Sequence, residues 1–165
     1  MTIFKFTTIV LIFCLTLIYS SCKKEEINNK QETTSVIDSN TTFSNNTIGY
    51  SGGSVFNANI SFFGVQGDST GYTIQGSTSS NLIIIKTGSS NFPATPPAVG
   101  SYKIYDLCDN CSHTLLPNEA IVVINDMAKS GSVNVSLSNG KYVYSFTNIE
   151  MKNSSLKWSG KLVSP

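Results

Sequence analysis

The chain has 165 residues, 13% of them charged; its eleven basic residues are all Lys, set against ten acidic ones. A net charge of +1 without a single Arg excludes the electrostatic footprint of a nucleic-acid binder, which needs a basic patch to displace counterions. It equally excludes a polybasic anchor for anionic lipid, so any attachment to a membrane must come from apolar groups.

Lys5 followed by the apolar run Phe6 to Tyr19 and the small residues Ser20 and Ser21 has the three parts of a secretory signal. The run is short for a membrane span, which needs about 20 apolar residues to cross roughly 30 Å of hydrocarbon, so cleavage is expected rather than a permanent helix. The small pair then places the thiol of Cys22 at the membrane surface, where it can take lipid. Ser20-Ser21-Cys22 resembles the lipobox of bacterial lipoproteins, with Tyr19 where an aliphatic residue is usual. The resemblance implies removal of residues 1–21 and acylation of Cys22; the alternative is ordinary cleavage that leaves a soluble secreted protein. Cys14 is the weaker candidate, because Phe13 precedes it and the apolar run continues past it. Lys23-Lys24-Glu25-Glu26 resembles the surface-export signal of Bacteroidota lipoproteins, which implies an outer-membrane protein facing the exterior. The plainer reading of those four residues is the charged start of a solvated tether.

Residues 22–46 are charged and then polar, with isolated apolar residues at no fixed period. Such a stretch buries too little apolar surface to offset its ordering entropy, and it reads as a flexible tether reaching roughly 25 Å. Residues 47–165 then form one domain, a length sufficient for a single core.

Within that domain Phe56, Ala58, Ile60 and Phe62 alternate with polar residues, the period of two that turns one face inward. Tyr72 to Ser77, Leu82 to Lys86 and Ser101 to Tyr105 are short β-rich runs between Gly, Ser and Pro. Ala120 to Asn125 is apolar without alternation, as in a strand covered on both sides. Val133, Val135 and Leu137 alternate up to Asn139-Gly140, the dipeptide of a tight type I′ hairpin, and Tyr142, Tyr144 and Phe146 return from it. The last strand carries Leu156, Trp158 and Leu162 opposite Lys157, Ser159 and Lys161. No window holds a convincing helical period. The fold class is all-β, a single antiparallel β-sandwich of about eight to nine short strands, with a closed calycin-like β-barrel as the alternative. The last hundred-odd residues also resemble the small β-sandwich lipoproteins of unknown function found in Bacteroidota, through a Gly-x-Tyr strand start, a Ser-Gly-Ser-Val strand and the closing Trp158-Ser159-Gly160-Lys161-Leu162.

Gly67-Asp68-Ser69-Thr70-Gly71 satisfies the G-x-S-x-G pattern of a hydrolase nucleophile elbow, which needs a strand before it, a helix after it and a base. The residues that follow are β-like and the only imidazole is His113, so a polar turn is the simpler reading. Asp68-Ser69-Thr70 also resembles the Bacteroidota O-glycosylation sequon, which makes Ser69 a possible sugar acceptor. Cys108 and Cys111 are the cysteines left once the signal is removed and Cys22 is acylated, and an oxidising compartment favours a small disulfide ring between them. A metal held by these thiols with His113, Asp106 or Asp109 lacks the second ligand pair that structural zinc normally has, a thioredoxin-like role lacks the α/β scaffold, and reduced, unbridged thiols are the remaining reading. No metal and no cofactor are expected. Tyr142, Tyr144 and Phe146 are read as an inner sheet face rather than a sugar platform, because Trp158 sides with Leu156 and Leu162.

Strand residues are thus accounted for as core or solvent face, and recognition falls to loops. Two are distinctive: Phe92 to Val99, stiffened by Pro93, Pro96 and Pro97, and Leu107 to Pro117, which carries the cysteine pair. Candidate contacts are Phe92, Asp109, Asn110, His113 and Leu115, and the geometric requirement is that both loops line one concavity. The expectation is a non-catalytic binding or accessory lipoprotein whose partners are the membrane, through its acyl chains, and a protein or glycan at the cell surface. A structural envelope protein without a ligand, a barrel enclosing a small apolar molecule, and a hydrolase using Ser69 are the alternatives.

Overall fold

The computed structural model describes residues 41–66, 70–108 and 113–165. The signal, Cys22, most of the tether, Ser69, Asp109, Asn110 and Cys111 lie outside the described residues. Among those described there is no helix, and so none long and apolar enough to cross a membrane.

The chain forms eleven strands: β1 (Thr47–Tyr50), β2 (Val55–Asn57), β3 (Asn59–Val65), β4 (Gly71–Ser77), β5 (Leu82–Gly88), β6 (Gly100–Ile104), β7 (Glu119–Ile124), β8 (Asp126–Ser130), β9 (Ser132–Ser138), β10 (Lys141–Met151) and β11 (Lys157–Val163). The all-β expectation holds, in its barrel form: the strands belong to one sheet rather than the two of a sandwich, in the order β2-β1-β11-β10-β9-β6-β7-β5-β4-β3. Every pairing is antiparallel except β6 with β7.

Two features roll this sheet into a nearly closed barrel. First, β2 and β3 stand at opposite ends of the strand order, yet only Ala58 separates them in sequence. Consecutive Cα atoms are about 3.8 Å apart, so the two edges must meet where Asn57 passes to Asn59. The Ala58 N–H ties this corner to the Asn46 carbonyl at 2.7 Å. Second, β8 pairs with both β10 and β7. At one end β6 and β9 fill the space between those two strands, and at the other β8 alone bridges it.

The inward residues match the expected alternation in part. Leu137 and Leu156, expected inside, are exposed, Leu156 precedes β11, and Ser159, expected opposite them, is buried. The β3 face is also shifted. Ala58 is buried and Ile60 packs on the core, but the next aromatic to do so is Phe63, not Phe62. The register of β3 against β4 shifts between Ile60 and Phe62; the extra residue, Ser61, is a bulge that moves the inward role along by one. In β7 the inner residues Ala120, Val122 and Ile124 are buried while Ile121 and Val123 are half-buried, which is how an apolar run without alternation still has two faces. Asn139 (φ 51°) and Gly140 (φ 73°) both take the left-handed conformation that a type I′ hairpin needs. Tyr144, Phe146, Trp158 and Leu162 are buried as an inner face, and they fill the barrel together with Ile48, Ile74, Ile83, Ile85 and Ile149.

Candidate functional site

The proline-rich loop is built from the end of β5. The Ser89 hydroxyl accepts from the N–H groups of Asn91 (3.2 Å) and Thr95 (3.2 Å), and the Asn91 amide donates to the Thr95 hydroxyl at 3.0 Å. Tyr102 donates to the Ala98 carbonyl at 2.9 Å and so pins the far end of the loop to β6. Ala94 is buried, Phe92 is 80% exposed, and the Phe92–Pro93 peptide is cis. The second loop lies against the same strand end: a Cβ on Gly88 would meet the Leu116 carbonyl oxygen at 1.9 Å. The two loops do share a hollow of about 210 Å³, lined by Thr95 to Ala98 from one and Pro117 from the other. Phe92, His113 and Leu115 are not among the residues that line it. Leu115 is 3% exposed, which corrects its reading as a surface contact: its side chain is buried.

His113 has a structural environment of its own. Its ring stacks on Tyr105 with centroids 3.6 Å apart and planes 7° from parallel, and its Nε2 lies 2.8 Å from Glu119 Oε2. The same carboxylate oxygen accepts the Leu116 N–H at 3.0 Å. The bond from His113, then that from Leu116, holds the Glu119 carboxyl below the usual carboxylate range. Lys152 closes the other side of the loop, reaching the Leu107 carbonyl and, at 2.9 Å, Asp106. Asp106 and His113, both weighed as metal ligands, thus face Lys152 and Glu119 respectively. As for the nucleophile-elbow pattern, Gly71 begins β4, so a strand and not a helix follows Ser69.

The opposite end of the barrel carries a feature that the sequence pattern did not reveal. β5 runs from this end, at Leu82, to the loop end, at Gly88. Tyr50 at the end of β1, Phe56 in β2 and Trp158 in β11 form one aromatic wall. Tyr50 stacks on Phe56 with centroids 6.0 Å apart, Trp158 meets Tyr50 edge-on at 5.2 Å, and Phe56 lies 6.5 Å from Trp158. The three rings line a hollow of about 380 Å³ together with Ser80, Asn81, Asn125, Asp126 and Ser154 and the apolar Ile124, Met151 and Leu156. Comparison with protein-family models, curated proteins and solved structures finds no match. What this end can do is therefore read from its own residues.

The polar side is braced from within. Asn125, at φ 57° in the turn from β7 to β8, donates to the Ser80 carbonyl (3.1 Å) and Asn81 Oδ1 (2.8 Å) and accepts the Leu82 N–H (2.8 Å). Asp126 accepts the N–H groups of Met127 (2.8 Å) and Asn153 (2.7 Å) and the Asn153 amide (3.0 Å). Burial pushes its pKa up, but these bonds and the Lys152 charge outweigh that and hold the carboxyl below its ordinary value. It is an anion at neutral pH, set in place before any ligand arrives. Tyr50 and Trp158 are separated by more than a hundred residues, and only the pairing of β1 with β11, Tyr50 opposite Trp158, joins them. The one sequence signal that points here is local: Tyr50 and Phe56 flank the Ser51-Gly52-Gly53-Ser54 turn of a single hairpin.

Proposed function

We propose that this chain is a lipid-anchored envelope protein, resembling Bacteroidota surface lipoproteins, whose β-barrel serves as a non-catalytic binding or accessory module on the outer face of the outer membrane. The observation that carries the anchor is the apolar run closed by Ser20-Ser21-Cys22 and followed by Lys23-Lys24-Glu25-Glu26. The binding role is supported by the interior: large side chains such as Tyr144, Phe146 and Ile149 fill the barrel, which leaves recognition to its ends. That disfavours the reading of a barrel enclosing a small apolar ligand. In the oxidising compartment this reading implies, Cys108 and Cys111 close a two-residue disulfide ring, and Ser69 is available for O-glycosylation.

Two or more acyl chains, each contributing about 0.8 kcal/mol per buried methylene, give lasting attachment. Cys22→Ala is therefore expected to abolish fatty-acid labelling and release the protein from membranes. Alanine at residues 23–26 is expected to keep the label but to protect the protein from protease added to intact cells. Undiminished labelling of Cys22→Ala refutes the anchor, and equal shaving of the second variant and the parent refutes the export signal.

A further inference from the structure

The hollow is lined by the rings of Tyr50, Phe56 and Trp158, by Ile124, Met151 and Leu156, and by the polar Ser80, Asp126 and Ser154, a mixture suited to a ligand that carries both apolar C–H surface and hydroxyls. We propose that it is a binding site for a single neutral pyranose unit, such as the terminal sugar of a glycan; this rests on the reading of the domain as a surface binding module and names its ligand class.

The polar wall carries valences that the protein itself leaves over. The Ser80 hydroxyl accepts from the Asn81 amide at 3.1 Å, and the Ser154 hydroxyl accepts the Leu156 N–H at 3.1 Å. Among the described residues neither hydroxyl donates, so each O–H is available to a ligand. Asp126 has three acceptor bonds in use, and a carboxylate offers about four lone-pair sites, which leaves one for a ligand hydroxyl. Two donors and one ionised acceptor on a side braced by Asn125 match a ring of alcohols. A wholly apolar ligand would leave these groups desolvated and unpaired, which is costly. An anionic ligand would face the ionised Asp126.

The aromatic rings supply much of the apolar part of the hollow. The rings touch one another at centroid separations of 5.2 to 6.5 Å and so form no cage around a cation; a cation over a single ring face beside the ionised Asp126 is the competing ligand that the choline titration tests. The ring area open to the C–H face of a pyranose comes from the half-buried Tyr50 and Phe56, stacked with their planes 29° apart, while Trp158, 6% exposed, backs Tyr50 edge-on. Gly53 sets the tilt of that surface, since a Cβ there would come within 1.8 Å of Tyr50 Cε2. A volume of about 380 Å³ sits near the lower end of the roughly 300–1,000 Å³ typical of small-ligand clefts, as one or two sugar rings require. The chain also enters the barrel at the other end: Thr47 pairs with Lys161 and Asn46 with the backbone of Val163, whereas Tyr50 reaches the hollow.

Trp158 is the only tryptophan in the chain, so its fluorescence reports on the site alone. The full chain, held in a non-glycosidic detergent, is titrated with the methyl glycosides of glucose, galactose, mannose and N-acetylglucosamine, and separately with choline chloride. The expected result is a saturable change with at least one glycoside, at a Kd of roughly 1–10 mM, as suits one small ligand on a modest surface. Phe56→Leu, which keeps apolar bulk but removes a ring face, and Ser154→Ala are each expected to weaken it about tenfold, with thermal unfolding midpoints close to that of the parent as the check on folding. No saturable change with any glycoside overturns the proposal. So does a response to choline alone, or equal binding by a folded Phe56→Leu protein. Protease shaving of intact cells scores display separately, so an absent sugar response in a displayed protein removes the ligand class and leaves the surface role standing.

Discussion

At the scale of single residues, the buried tyrosines behave unequally. Tyr102 is 3% exposed and gives its hydroxyl proton to the Ala98 carbonyl at 2.9 Å. Tyr144 is fully buried, and among the described residues its hydroxyl makes no hydrogen bond of ordinary geometry; the Thr87 hydroxyl, near enough to lower its pKa slightly against the larger effect of burial, spends its own proton on the Tyr72 carbonyl. A satisfied buried bond contributes about 0.5–1.5 kcal/mol, whereas an unsatisfied hydroxyl costs about 1–3 kcal/mol to desolvate. Tyr102→Phe is therefore expected to lower stability by about 1 kcal/mol, and Tyr144→Phe to leave it unchanged or raise it by up to about 1 kcal/mol. Urea unfolding of both variants measures this, and a loss from Tyr144→Phe as large as that from Tyr102→Phe would reveal a partner for the buried hydroxyl. None of this asymmetry is written in the sequence, where Tyr142, Tyr144 and Phe146 show only that one face of a strand is aromatic. The period of two assigns a side chain to a face; it says nothing about what its polar tip meets there.

At the scale of the strand, legibility followed local pattern. The hairpin of β9 and β10 is read directly from two alternating runs around Asn139-Gly140, because its turn and its pairing are adjacent in the chain. β8 escaped notice since Asp126–Ser130 has one inward residue, Ala128, and no apolar alternation; what makes it a strand is the pair of neighbours, β7 and β10, that it bridges. The Ser61 bulge was equally hidden, because Phe62 and Phe63 offer the same chemistry and only the register with β4 chooses between them. Close approach of strands is another non-local demand. A Cβ on Gly160 would lie 2.7 Å from Ile48 Cγ2 and 2.9 Å from both Phe146 Cζ and the Thr47 carbonyl oxygen. Overpacking of this kind typically costs about 1–3 kcal/mol, so Gly160→Ala should lower the unfolding midpoint accordingly. A midpoint equal to the parent's would mean that β1 and β10 yield more easily than this packing implies.

For the whole molecule, the ionisable groups define a plateau of stability. Bonds from Lys157 and Ser130 hold Glu150 below its ordinary pKa, the His113 bond does so for Glu119, and for Asp126 the bonds from Asn153 and Met127 outweigh burial. Stability from these depressed carboxylates is present above their unfolded values, near pH 4, and is lost as the pH falls through the folded ones. Burial pushes Tyr102 and Tyr144 the other way, above the ordinary phenol value. Their contribution is complete below about pH 10 and is lost as the pH rises beyond it, because the unfolded chain then releases protons that the folded one retains. Denaturant midpoints are expected to be level between about pH 5 and 9 and to fall on both sides. A midpoint that holds level to pH 11 would contradict the burial of the two phenols.

The meeting of the sheet's two edges at Ala58 also bears on crowding. The proposed lipid anchor would confine copies of this protein to a plane, where each is close to its neighbours. An exposed sheet edge in that setting is a template for pairing with the next copy. Here one edge strand, β2, is three residues long, and the other, β3, is kinked by the Ser61 bulge and turned back towards the first. Short and bulged edges offer no straight row of free N–H and C=O groups. Under the proposed display, edges built this way would work against strand pairing between neighbouring copies.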